Sequence, residues 1–157
     1  MQKHAIDAID HRLLELIQAD ASRTNQDLAA AANVSPATAL RRLRRLRESG
    51  VIERSVALLS PEKTGGLQAL AEVQLDRQGA EHLDAFEAIA VAEAAVQQCW
   101  RVSPGPDFML VLWLPDMPAY SALVQRLFTQ QANVRNVKTY FVTKRAKFDP
   151  RVSLDAV

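Results

Sequence analysis

The stretch TNQDLAAAANVSPATALRRLRRLRESG, Thr24 to Gly50, decides the fold of the first third of this chain. Thr24 has the side chain of an N-cap and Asp27 follows three residues on, which predicts a short helix through Leu28 to Ala32. After Asn33 and Val34, Ser35 followed by Pro36 predicts a second helix, because proline at the first helical position gives up no needed hydrogen bond. Gly50 supplies a left-handed stop. A short capped helix, a turn of about three or four residues and a second capped helix form the helix-turn-helix arrangement, in which the second helix enters the major groove of DNA.

That second helix advances about 100° per residue, so it is expected to gather Ala39, Leu40, Leu43 and Leu46 on one side. Thr38, Arg41 and Arg45 then project from the other side, Arg42 and Arg44 flank them, and Arg47 lies nearer the boundary. Five arginines in Ser35 to Gly50 meet only one acid, Glu48, whereas a merely solvated face normally interleaves acids at i+4. A membrane-lying helix favours bulky Trp, Phe and Leu and rarely follows a capped helix and a turn. DNA accounts for the pattern: arginines neutralise phosphates or pair with guanine edges, and a helix starting at Ser35 and Pro36 points the free backbone amides of its first turn at a phosphate.

Upstream, Ile6, Ile9, Leu13, Leu14, Leu16 and Ile17 recur at helical spacing, which predicts a first helix ending near Asp20 to Arg23. Downstream, VIERSVALL (Val51 to Leu59) is strand-like and SPEKTGG (Ser60 to Gly66) has the proline and glycines of a linker. Beyond it, LQALAEVQLD, GAEHLDAFEAIAVAE, AAVQQCWRVS, FMLVLWL, MPAYSALVQRLFTQ and VRNVKTYFVTKR alternate as strand, helix, strand, strand, helix, strand. The order βαββαβ is the ferredoxin-like unit, a four-stranded sheet with helices on one face. A chain of 157 residues offers no third layer for the other face, so burial in a homo-oligomer is expected. The fold class is therefore α+β: a winged or plain helix-turn-helix domain over 1–52, a hinge strand and linker over 53–66, and a ferredoxin-like domain over 67–157.

With 48% hydrophobic and 24% charged residues the composition is that of an ordinary globular chain. No run of about 18 apolar residues exists to span a bilayer, and the start lacks the continuous apolar core of a signal peptide, so a cytoplasmic location without membrane attachment is expected. His4, His11 and His82 are too scattered for a zinc site, no P-loop, GxSxG or GxGxxG occurs, and Cys99 beside Trp100 reads as a small buried hydrophobe. No metal, cofactor or catalytic residue is expected. Tyr140 and Phe141 beside Lys138, Lys144, Arg145 and Lys147 read as a terminal strand with alternate residues inward rather than as an RNA surface.

IDAIDHRLLELIQADASRTNQDLAAAANVSPATALRRLRRLRESGVIE, VSPGPDFMLVLWLPDMPAYSALV and NVRNVKTYFVTK together resemble the Lrp/AsnC family of feast/famine transcription regulators, over nearly the whole chain. The resemblance implies a homodimer that assembles further to an octamer, binds double-stranded DNA, and takes an amino acid or related small molecule between its βαββαβ domains. By position it implies DNA contacts from Ser35, Pro36, Thr38, Arg41, Arg42 and Arg45, to which the helical placement of the flanking Arg44 adds a further one. It implies effector contacts from Ser103, Asp107, Phe108 and Thr139, and Pro104 and Gly105 of the same loop are counted with them. Pro104 stands where the family has glycine, with Gly105 one residue later, and Arg54 and Ser55 replace the hinge's usual glycine and aromatic. The alternatives are an enzyme like the siroheme decarboxylases, which share the two-part layout, and a small-molecule-binding assembly without DNA.

Overall fold

The computed structural model describes residues 6–154. They fall into two compact units, one formed by the residues up to Leu58 together with those from Lys147 on, the other by Leu59–Ala146.

In the first unit, α1 (Ala8–Ala19) starts at a capping box: the Asp7 carboxylate accepts the Ile9 and Asp10 amides at 2.9 and 3.0 Å, and the Asp7 amide donates to Asp10. For α2 (Asn25–Ala31), Thr24 Oγ1 accepts the Asp27 amide at 3.2 Å. The turn that follows puts Asn33 at φ +55°, a left-handed backbone that asparagine adopts more readily than most residues. Helix α3 (Pro36–Glu48) is capped by Ser35, whose Oγ accepts the Thr38 amide at 3.2 Å, and is stopped by Gly50 at φ +76°. Leu13, Leu28, Ala29, Ala32, Ala39 and Leu43 form the core among the three helices.

Two expectations about this unit are corrected. Leu40 does not pack inward; it is 58% exposed, while Ala39, Leu43 and Leu46 carry the buried seam alone. Those three centre the seam on a narrow stripe, and on the flank away from Leu40 the α3 arginines are drawn toward acids of α1. The hinge is not a strand either. Residues 53–60 form no regular element, with Val56, Leu58 and Leu59 exposed, because no other strand among the described residues offers them a ladder.

The second unit opens with one short turn, α4 (Pro61–Thr64), and continues β1 (Leu67–Leu75), α5 (Ala80–Ala92), β2 (Val96–Arg101), β3 (Phe108–Leu114), α6 (Met117–Leu123) and β4 (Val134–Phe141). α6 runs on as a π-helix over Val124–Thr129. The sheet is antiparallel in the order β2-β3-β1-β4, the ferredoxin-like arrangement. Strand alternation sends Ala69, Ala71, Val73 and Leu75 of β1, and Phe108, Leu110, Leu112 and Leu114 of β3, into a core closed by Phe86, Ala90, Leu123, Leu127 and Phe128. The helices cover that face only. The other face carries Leu70, Val111, Tyr140, Trp100, Met109 and Trp113; Leu70 pairs in register with Val111 on one side and Tyr140 on the other, and Trp100 pairs with Met109.

Candidate nucleic-acid interface and effector loop

The α3 arginines divide into two groups. Asp10, at the third position of α1, is fully buried, and its carboxylate accepts from Arg42 Nη1 at 3.0 Å and from Arg45 Nη2. Arg42 Nη1 also meets Asp7 Oδ2 at 2.6 Å. The Arg42 guanidinium, helped by the Asp10 amide, holds the Asp7 carboxyl well below the usual carboxylate range, from 3.8 to about 2. The side chain of Arg42 is 16% exposed and that of Arg45 39%, so the first has little left for an outside partner and the second part of its fork.

Arg41 and Arg44 lie on the opposite, exposed side with Ala37 and Glu48. Arg44 Nε donates to Glu48 Oε1 at 2.7 Å, one helical turn on, yet stays 78% exposed. Arg47 is exposed too and makes no ion pair with Glu48, the acid beside it. At the helix start Ser35 Oγ and Thr38 Oγ1 share a hydrogen bond of 2.9 Å, so both hydroxyls are engaged in capping. Asn25 Nδ2 donates to the Pro36 carbonyl at 2.8 Å and holds the beginnings of α2 and α3 together.

The expected effector residues do not converge on one cavity. Asp107 fastens the loop between β2 and β3: its amide donates to the Val73 carbonyl at 2.9 Å and its Oδ2 accepts the Leu75 amide at 2.7 Å. Phe108 is corrected from a ligand contact to a core residue, because strand alternation buries it completely against Phe86, ring centroids 4.9 Å apart, with the Arg101 guanidinium 5.7 Å above its ring. Ser103 and Pro104 are exposed in the loop, and Gly105 sits at φ +126°, a backbone open to glycine and strained for any other residue. Gly105 and Pro106 border a cleft of about 250 Å³ with Glu72, Gln74, Asn136 and Lys138. Thr139, by contrast, borders a cavity of about 330 Å³ with Tyr120, Val124, Phe128, Thr129 and Val137, against the π-helix. Glu72 and Lys138 are register partners on β1 and β4, whereas Thr139 is one residue on and therefore on the other face.

Residues 68–152 match the Lrp/AsnC ligand binding domain and residues 6–53 a winged helix-turn-helix DNA-binding domain. The chain belongs to the Lrp/AsnC family of transcriptional regulators. It is 33% identical to an uncharacterized HTH-type transcriptional regulator of Haemophilus influenzae over 95% of this chain and 89% of that one. It is 30% identical to the leucine-responsive regulatory protein of Escherichia coli K12, over 94% of this chain and 90% of that one. A transcriptional regulator of Neisseria meningitidis solved with L-Met superposes with a TM-score of 0.87 at 29% identity, covering 97% of this chain and 99% of that chain. None of the three carries the tetrapyrrole-enzyme alternative. As a member of the Lrp/AsnC family, the chain keeps the helix-turn-helix at the front and the βαββαβ unit behind it. Among the described residues no helix is long and apolar enough to cross a membrane.

Sequence reading missed Asp7 and Asp10. Their signal was present: D-x-x-D at the start of an amphipathic helix is a capping box, and R-x-x-R at Arg42 and Arg45 presents two guanidiniums one turn apart to whatever acid packs against them.

Proposed function

We propose that this regulator binds double-stranded DNA as a homo-oligomer in the cytoplasm, with α3 in the major groove, and that an amino acid bound near the 103–107 loop modulates the binding. The observation that carries the DNA face is the exposed side of α3, where Arg41 and Arg44 stand free of the Asp10 cluster. Ser35, Pro36 and Thr38 shape the helix start beside the backbone amides that would meet a phosphate. Arg42 and Arg45 support that face chiefly by holding the helix in place, and Arg45 keeps enough exposure for a flanking phosphate.

For the effector, the support is chemical. Glu72 and Lys138 present opposite charges across one cleft beside Gly105 and Pro106, which suits a molecule carrying both an ammonium and a carboxylate. The Neisseria relative binds L-Met and the E. coli relative is named for leucine, in line with an amino acid here. The homo-oligomer reading rests on the exposed Leu70, Trp100 and Tyr140 of the sheet face that the helices leave open, and on the exposed Val56, Leu58 and Leu59.

One titration tests both halves. A duplex enriched from random sequences by the full-length protein is titrated at several salt concentrations, with wild type and Arg41→Ala, and then with each amino acid added. The expected result is weaker binding by Arg41→Ala, with a log K against log salt slope shallower by about one for each phosphate no longer neutralised, and a changed affinity with one amino acid class. Equal affinity and slope in the variant would remove α3 from the interface, and no response to any amino acid would remove the effector.

A further inference from the structure

Leu40 is out of place for a leucine. The apolar demand of α3 is met by Ala39, Leu43 and Leu46, all nearly or fully buried, and Leu40 is left 58% exposed in the helix's N-terminal half. A single exposed leucine is ordinary on a protein surface; its company here is not. Ala37 lies one turn before it and Arg44 one turn after it, with Arg41 adjacent, so a bulky hydrocarbon stands on a small-residue and arginine face. Arg42, two residues on and therefore about 200° around the helix, points to the buried Asp10 and fixes this rotation.

Resting on the DNA reading above, we propose that Leu40 reads sequence, packing its side chain against the C5 methyl of a thymine in the major groove. Arg41 and Arg44 bring the face to a polyanion, and Ala37 leaves room for a base edge to approach. Of the four base edges in that groove only thymine offers a hydrocarbon group; the others present donors and acceptors that a leucine would desolvate without pairing. The same contact discriminates thymine from cytosine, whose N4 donor would face hydrocarbon. Leu40 is thus a specificity-determining residue, and Arg41 and Arg44 set affinity.

The test uses the duplex enriched by the full-length protein. Each thymine of one half-site is replaced in turn by uracil, which deletes the methyl and keeps the pairing. Wild type should lose about fourfold in affinity at one thymine, the size expected for one methyl group no longer withdrawn from water. Leu40→Ala should bind the thymine duplex about as weakly as wild type binds the uracil duplex, should not respond to uracil, and should melt within about a degree of wild type because the residue is exposed. Insensitivity of wild type to every uracil, or equal loss in both proteins, would overturn the proposal while leaving the DNA reading intact. Failure to enrich any duplex would overturn both.

Discussion

Asp10 has its carboxylate wholly out of water, a placement that costs several kcal/mol for an isolated ion and is offset only where both oxygens find donors. Here the donors are Arg42, Arg45 and the Asp7 amide. The consequence is asymmetric: the cluster is worth little over a well-packed apolar replacement, but removing one member strands the rest. Asp10→Ala is therefore expected to lower the stability of the N-terminal unit by about 3 kcal/mol in urea unfolding, since Arg42 then keeps only the half-exposed Asp7. Arg41→Ala, on the open side, is expected to change it by less than about 0.5 kcal/mol. Similar losses in the two variants would mean that the two groups of arginines are not distinct. This division was not legible from arginine spacing alone, because which side of α3 meets acid depends on α1, some 30 residues away in sequence.

Helices α2 and α3 were legible because their caps are local chemistry: Thr24, Ser35, Pro36 and Gly50 act on backbone within one turn of themselves. Rotation is not local. Four apolar residues, Ala39, Leu40, Leu43 and Leu46, define an inward arc, and the packing of α3 on elements distant in sequence buries only three of them. Leu43→Ala is expected to cost about 3 kcal/mol and Leu40→Ala almost nothing, measured in the same urea series; comparable costs would restore the wider arc. The βαββαβ order was legible from alternation in β1 and β3, where the helix-facing positions are uniformly apolar. Val51–Leu59 is strand-like in composition without that alternation and forms no strand, since a ladder needs a second edge that composition cannot supply. Phe108 shows the same limit at the candidate site: its family position implied a ligand contact, and its place in the alternation of β3 puts it in the core.

At the scale of the molecule, the chain enters the second unit at Leu59 and leaves it at Ala146, so its last described residues return to the first. Gln18 on α1 holds them through a reciprocal pair, its Oε1 accepting the Val152 amide at 2.8 Å and its Nε2 donating to the Val152 carbonyl at 3.2 Å. The tail has no periodicity in its sequence to report where it docks. The sheet raises the larger question of assembly. Its open face sets Leu70 between Val111 and Tyr140, with Trp100, 57% exposed, beside Met109, and the polar Glu72 and Lys138 further along the same strands. An apolar centre with a polar margin is the anatomy of an interface between protein surfaces, and under the proposed homo-oligomer a second copy would supply an identical face that satisfies both. Two copies joined there would carry two α3 helices, which is what a site of two half-sites requires. Leu70→Asp places a charge at the centre of that face without touching the core, since its side chain points away from the helices. The variant is expected to sediment at the monomer mass, to keep its unfolding transition, and to lose at least tenfold in affinity for the two-half-site duplex while binding a single half-site as wild type does. An unchanged mass would move the interface elsewhere, and a monomer with full affinity for the paired site would separate assembly from DNA recognition.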